Sequence, residues 1–132
     1  MTEKTFPADT AALDAVLSFT EEQLEQFSCP PALTMSLTMA IEEMFVNAAY
    51  YAYPDGGGSV QLAIAFESDS RTVTFRLTDS GIPFDPLARP APDLSIPAAE
   101  RPVGGLGIYM MRKTMDEVQY ERIGEQNILT MR

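Results

Sequence analysis

The chain has 132 residues, which is enough for one domain with a buried core. Nine Lys and Arg residues against 19 Asp and Glu residues give a formal charge of −10. This charge argues against a general nucleic-acid-binding surface, which needs cations to neutralise phosphates. The single cysteine, Cys29, excludes an internal disulfide, and the absence of histidine excludes Ser-His-Asp and Cys-His catalysis. The sequence contains neither a signal-like N-terminus nor a run of ~18 apolar residues, so we expect a cytoplasmic protein without a membrane span.

The first part of the chain predicts a short strand and two helices. Residues 4–7 can form an edge strand, and a helix capped at residue 9 or 10 runs to about Phe27. A second helix begins after Pro30-Pro31 and runs to about Ala52. Its apolar stripe has spacings of three and four: Leu37, Ile41, Met44, Ala48 and Tyr51.

The second part predicts two hairpins separated by a long loop and a helix. Apolar residues alternate along 60–66 and again along 73–77, with a short polar turn between them. The pattern then indicates a proline-rich loop over 83–102, a helix over 106–115 and a final hairpin around Gly124 formed by 117–122 and 126–132. The whole order predicts one α+β domain over 1–132, a two-layer sandwich of a mixed or antiparallel sheet with helices on one face.

Glu43 and Asn47 are one helical turn apart, beside the apolar stripe of the second predicted helix, whereas Glu42 falls on the far side. An amide oxygen at position 47 suits Mg²⁺, and a carboxylate at position 43 can accept a proton. Taken alone, this spacing is more typical of an ordinary solvated i,i+4 pair.

A second group of candidates surrounds the long loop. Asp79 closes a strand, Gly81 follows it, and Gly105-Leu106-Gly107 stands where the next helix begins. A carboxylate can accept from the amino group of a base, and free N–H groups at a helix start can hold phosphates. Turn formation alone would also explain Asp79, and helix capping would explain the glycines.

The methionines, including Met35, Met39, Met44, Met111 and Met115, are interpreted as core filling. The tyrosines at 50, 51 and 53 are interpreted as an aromatic cluster at a helix end, where one ring could reach a nucleotide pocket.

In this order and spacing, the motifs resemble the Bergerat, or GHKL, ATP-binding fold of gyrase, sensor histidine kinases and the anti-sigma-factor serine/threonine kinases. Glu43-x-x-x-Asn47 is similar to the N box, Asp79-x-Gly81-x-Pro83-Phe84-Asp85 to the first glycine box, and Gly105-Leu106-Gly107 to the second. The tail from Asn127 to Met131 is similar to the closing strand. The short length and the Pro-Phe-Asp-Pro sequence look most like the anti-sigma-factor kinases.

The resemblance implies ATP and Mg²⁺ as cofactors and a role for each matching residue. Asn47 would bind Mg²⁺, Asp79 would bind the adenine amino group, and Gly81 would pass under the base. Gly105, Leu106 and Gly107 would hold phosphates, Thr130 would assist at adenine, and Glu43 would be the catalytic base. The implied partners are an anti-anti-sigma protein, phosphorylated on serine or threonine, and a sigma factor. The resemblance also implies a homodimer.

Two departures from the family pattern keep a second function open. Tyr51 stands where the family often has a histidine, and the predicted lid, 84–103, is rich in proline and poor in cations. The alternative to a kinase is therefore a nucleotide-gated regulatory binding module that transfers no phosphate. A purely structural α+β domain would require all four motifs to be coincidental.

Overall fold

The computed structural model describes residues 2–85, 87 and 111–132. Its helices and strands agree with the predicted order. The strands are β1 (Thr2–Pro7), β2 (Ser59–Glu67), β3 (Thr72–Asp79), β4 (Val118–Ile123) and β5 (Gln126–Met131), and the helices are α1 (Leu13–Gln26) and α2 (Pro31–Tyr51).

The five strands form one sheet in the order β1-β2-β3-β5-β4, and every neighbouring pair is antiparallel. Both predicted hairpins are confirmed, as β2–β3 and β4–β5. The sequence predicted a mixed or antiparallel sheet, and the described strands form an antiparallel one. β5 lies inside the sheet between β3 and β4, so β4 is an edge strand although it precedes β5 in the chain.

One face of the sheet carries the core. Strand residues at alternate positions pack with the inward side chains of α1 and α2, which explains the two-layer arrangement. The fully covered members include Phe75 in the central strand β3, Met131 in β5 and Phe45 in α2.

Helix α1 follows a 3-10 turn at Thr10–Ala12 that Asp9 caps by accepting from the Ala11 N–H at 2.9 Å. This agrees with the predicted cap. α2 begins at Pro31. Proline is tolerated in the first turn of a helix because the N–H group that it lacks would have no partner within the helix there. Residues 111–114 are helical, and the remainder of the helix predicted over 106–115 lies outside the described residues. No helix within the described residues has the length and apolarity needed to cross a membrane.

Two predictions about side-chain burial are wrong. Tyr51 was expected in the α2 core stripe but is 38% exposed, because the helix ends there and the ring lies at the surface. Met35 and Met39 are also exposed, whereas Met44, Met111 and Met115 do fill the core as predicted. On α2, positions 35 and 39 lie on the side of the helix that faces away from the sheet. The residue type alone does not show on which side of a helix a methionine lies.

Candidate functional site

A cleft lies between the C-terminal half of α2 and the adjoining ends of β3 and β5. Its cavity volume is about 30 Å³, and the cleft is partly open to solvent. Its walls are mostly apolar, with a few polar side chains, which is the usual character of a small-molecule site. The residues that line it are Met44, Asn47, Ala48, Leu77, Asp79, Phe84, Tyr120, Asn127 and Leu129.

Helix α2 contributes Asn47, whose side chain is only 3% exposed. Its Nδ2 donates to the Glu43 backbone oxygen at 2.7 Å and to Glu43 Oε1 at 3.0 Å. Both partners are acceptors, so the amide orientation is determined by chemistry. The other amide atom, Oδ1, has no hydrogen bond within the described residues. The Glu43–Asn47 pair is therefore not a solvated surface pair, because Asn47 is buried and its contacts with the half-buried Glu43 fix the orientation of the amide.

Strand β3 ends at Asp79, which is half-buried at the cleft. Asp79 Oδ1 accepts from the Gly81 N–H at 3.0 Å and from Asn127 Nδ2 at 2.8 Å. In the part of the chain that the structure describes, Oδ2 has no hydrogen bond. A carboxylate oxygen beside an apolar cleft is a strong acceptor for a ligand N–H.

Strand β5 contributes Asn127, which sequence reasoning missed. It pairs with Asp79 in the sheet register, and its side chain is 5% exposed. Besides Asp79, it donates to the Ile82 carbonyl at 2.8 Å and accepts from the Phe84 N–H at 3.3 Å and the Tyr120 hydroxyl at 2.5 Å. The indication in the sequence was weak: position 127 belongs to the same alternating set of the last predicted strand as Leu129 and Met131, but it carries a polar residue.

Gly81 lies against the end of α2. A Cβ atom at this position would be 2.1 Å from the Ala52 carbonyl oxygen, so no larger residue fits without a shift. The same carbonyl accepts from the Ile82 N–H at 2.8 Å, and Arg122 Nη1 donates to the Gly81 carbonyl at 2.8 Å. Close backbone approach therefore explains this glycine, and its passage under a base stays a prediction.

Tyr51 stacks on Phe84 with ring centroids 4.9 Å apart and an interplanar angle of 23°. Phe84 in turn lines the cleft. Of the three tyrosines near the end of α2, Tyr51 thus approaches the site indirectly. The Tyr53 hydroxyl forms hydrogen bonds with backbone atoms instead.

Among the described residues, Thr130 does not join this group. Thr130 alternates with Leu129 and Met131, whose side chains face the core, so Thr130 lies on the opposite face of the sheet from the cleft. Its role at adenine is accordingly not supported by its position. Gly105, Leu106, Gly107 and nearly all of the predicted lid 84–103 lie outside the described residues.

Comparison with protein families supports an ATPase fold. Residues 6–132 match the family model of the histidine kinase-like ATPase domain. The serine/threonine-protein kinase BtrW of Bordetella bronchiseptica is 26% identical over 99 residues, which are 75% of this chain and 69% of BtrW. The serine-protein kinase RsbW of Bacillus thuringiensis is 31% identical over 87 residues, 63% of this chain. The chain spans only about half (53%) of the length of that RsbW.

Comparison with solved structures supports the fold alone. The crystal structure of the RsbU and RsbW domains of Rv1364c from Mycobacterium tuberculosis aligns with a TM-score of 0.63 at 16% identity. The alignment covers 99% of this chain and 32% of that one. The two-layer arrangement is therefore shared with a solved RsbW-containing protein.

Proposed function

This chain belongs to the histidine kinase-like ATPase domain family, and from that membership we propose that it binds ATP in the α2–β3–β5 cleft and phosphorylates a serine or threonine of a protein partner. The names of its relatives support the kinase activity, since both BtrW and RsbW are named as serine or serine/threonine kinases. The observation that carries the proposal is the pair of oxygens at the cleft, Asn47 Oδ1 and Asp79 Oδ2. Neither has a hydrogen bond within the described residues.

The Asp79 end of the cleft suits adenine. Oδ2 can accept from the 6-amino group of the base, while apolar side chains such as Leu77 and Leu129 provide surfaces for a flat ring. The proposed contact gives a charged acceptor a donor and thereby favours binding.

The Asn47 end suits Mg²⁺. A buried polar atom without a partner is unfavourable, and an amide oxygen is a hard ligand of the kind that Mg²⁺ prefers. The residues present therefore fit the metal, with Asn47 as its ligand. When bound, Mg²⁺ would neutralise charge on the phosphate oxygens.

Glu43 is the proposed catalytic base. In the proposed reaction, the hydroxyl oxygen of the partner bonds to the γ-phosphorus of ATP, the bond from that phosphorus to the β–γ bridging oxygen breaks, and ADP leaves. Glu43 takes the proton of the hydroxyl. Its carboxylate is half-buried and bonded to Asn47, so the base and the proposed metal ligand are held together. We propose Gly105, Leu106 and Gly107 as the phosphate-binding segment.

By resemblance, the phosphorylated partner is a small anti-anti-sigma protein, and the alternative partner is a sigma factor. We further propose a homodimer that acts in the cytoplasm. The binding-module alternative is supported by Tyr51, which stands where the resemblance implies a histidine and which stacks on Phe84.

The decisive experiment is a transfer assay with labelled ATP, Mg²⁺ and candidate anti-anti-sigma proteins. We expect labelled serine or threonine on the partner. Glu43→Gln should preserve ATP binding, since glutamine can still accept from Asn47, but it should slow transfer by about 10²–10⁴-fold because the base is lost.

The matched control is Glu42→Gln, on the exposed side of the same helix, which should transfer at the wild-type rate. If Glu43→Gln also transfers at that rate, Glu43 is not the base. If the wild-type protein binds ATP and a partner but never transfers phosphate, the binding-module alternative is correct.

A further inference from the structure

The side-chain amide of Asn127 is fully hydrogen-bonded, which is unusual for a residue that lines a cleft. Its two N–H groups face two acceptors, Asp79 Oδ1 and the Ile82 carbonyl, both at 2.8 Å. Its oxygen faces two donors, the Phe84 N–H and the Tyr120 hydroxyl. A flipped amide would place donor against donor and acceptor against acceptor, so only one orientation is compatible with this surrounding.

This amide determines how the Asp79 carboxylate is oriented. Asn127 and the Gly81 N–H both donate to Oδ1, at 2.8 and 3.0 Å. Two donors on the same oxygen oppose rotation of the carboxylate, because any intermediate rotation breaks both bonds. One carboxylate oxygen is thereby held by the two donors, and the other is left available to a ligand.

We propose that Asn127, oriented by Tyr120, is a positioning residue that makes the cleft select a 6-amino purine over a 6-oxo purine. The inference rests on the proposed function, in that ATP is taken to bind here. A fixed carboxylate oxygen accepts from an amino group but repels a keto oxygen. A carboxylate free to rotate, or displaced from the cleft, would lose the attraction to the amino group.

Tyr120 extends the arrangement to the edge of the sheet. It lies on β4, next to β5, and is half-buried at the cleft, where its hydroxyl donates to Asn127 Oδ1. Loss of this hydroxyl leaves Asn127 with the Phe84 N–H as its remaining donor. The amide should then be held less firmly in its orientation, while the packing of the aromatic ring is preserved.

The test compares ATP with inosine triphosphate, which has a keto oxygen in place of the 6-amino group and an N–H at ring position 1. Calorimetry would measure both affinities for the wild type, Asn127→Ala, Tyr120→Phe and the control Ile128→Val, whose side chain is on the outer face of β5. We expect the wild type to prefer ATP. Asn127→Ala should lower the ATP affinity by about ten- to a hundredfold and change inosine triphosphate little. Tyr120→Phe should reduce the preference for ATP over inosine triphosphate by less than Asn127→Ala does, and Ile128→Val should leave that preference unchanged.

The ratio of the two affinities distinguishes positioning from a structural role. If Asn127→Ala weakens the binding of both nucleotides equally, the inference is overturned, while ATP binding by the wild type would still support the proposed function. If Asn127→Ala does not fold, an unchanged ratio in Tyr120→Phe would overturn it instead. A wild type that binds neither nucleotide would overturn the proposed function, and the inference with it.

Discussion

At the scale of single residues, the candidate site depends on two side-chain amides whose N–H groups donate hydrogen bonds to neighbouring residues. Asn47 directs both N–H groups to Glu43, which leaves its oxygen turned elsewhere. Asn127 uses its N–H groups on Asp79 and Ile82. Both amides are buried, where hydrogen bonds are strong and unpaired atoms are unfavourable. Removing either one therefore changes an orientation as well as a contact.

We expect Asn47→Ala to abolish the contribution of Mg²⁺ to ATP binding. In the wild type, addition of Mg²⁺ should raise ATP affinity by about tenfold or more, roughly 1.4 kcal/mol, and in the variant it should have little effect. Calorimetric titrations with Mg²⁺ and with EDTA would measure this. In EDTA the two proteins should bind ATP alike; a full Mg²⁺ effect in the variant would show that Asn47 is not the ligand.

The motif residues were predictable one by one, but their surroundings were not. Asn47 and Asp79 were identified from spacing and resemblance, and they do meet in one cleft. Asn127 was missed because its significance arises from the register that pairs it with Asp79, 48 residues away. Thr130 was assigned by similarity to a strand, although the alternation of that strand places its side chain on the other face.

At the scale of secondary-structure elements, Tyr53 connects three of them. It follows α2, and its hydroxyl donates to the Ser59 carbonyl at the start of β2 at 2.7 Å. The same oxygen accepts from the Ser80 N–H, just after β3, at 2.8 Å. The end of α2 is thus tied to the start of β2 and to the Asp79–Gly81 segment at the end of β3.

Tyr53→Phe should lower the free energy of unfolding by about 1–2 kcal/mol, because two backbone groups lose a partner that water only partly replaces. Chemical denaturation followed by circular dichroism would measure the loss. Tyr50→Phe removes a hydroxyl from a ring that is 64% exposed and should change stability by less than about 0.5 kcal/mol. Equal effects of the two substitutions would contradict the connecting role of Tyr53.

Periodicity predicted the elements well because each lies on a clear boundary between core and solvent. The alternation along β2 and β3 and the stripe on α2 both follow from packing against a single apolar layer. The exposed side chains of Met35 and Met39 could not be predicted from residue type, since methionine suits both core and surface. The strand order was also hidden, because the sequence shows hairpins but not which hairpin edges meet.

At the scale of the whole molecule, β5 joins the two hairpins into one sheet. It pairs with β3 on one side and β4 on the other, and Leu129 and Met131 contribute to the core. β1, by contrast, is an edge strand whose residues are mostly exposed, with Phe6 as its buried member. The two ends of the chain therefore contribute unequally to the fold.

Deletion of residues 124–132 should prevent cooperative folding, because it removes an inner strand and leaves β4 without its sheet neighbour. Deletion of residues 1–4 should leave a cooperative, somewhat less stable protein. Thermal melts followed by circular dichroism would distinguish the two outcomes. A sharp transition in the C-terminal deletion would show that the remaining elements fold without β5.

The pairing of Asp79 with Asn127 has a consequence for folding kinetics. The two hairpins have short connections and can form locally, but the β3–β5 ladder must close a long segment of chain, and such closure is entropically slow. We therefore expect the cleft to be completed late in folding. A nucleotide that binds the completed cleft would bind only the native state, and it would raise the melting temperature in proportion to the logarithm of its concentration above the dissociation constant. The stability of the folded chain would then depend on the concentration of nucleotide around it.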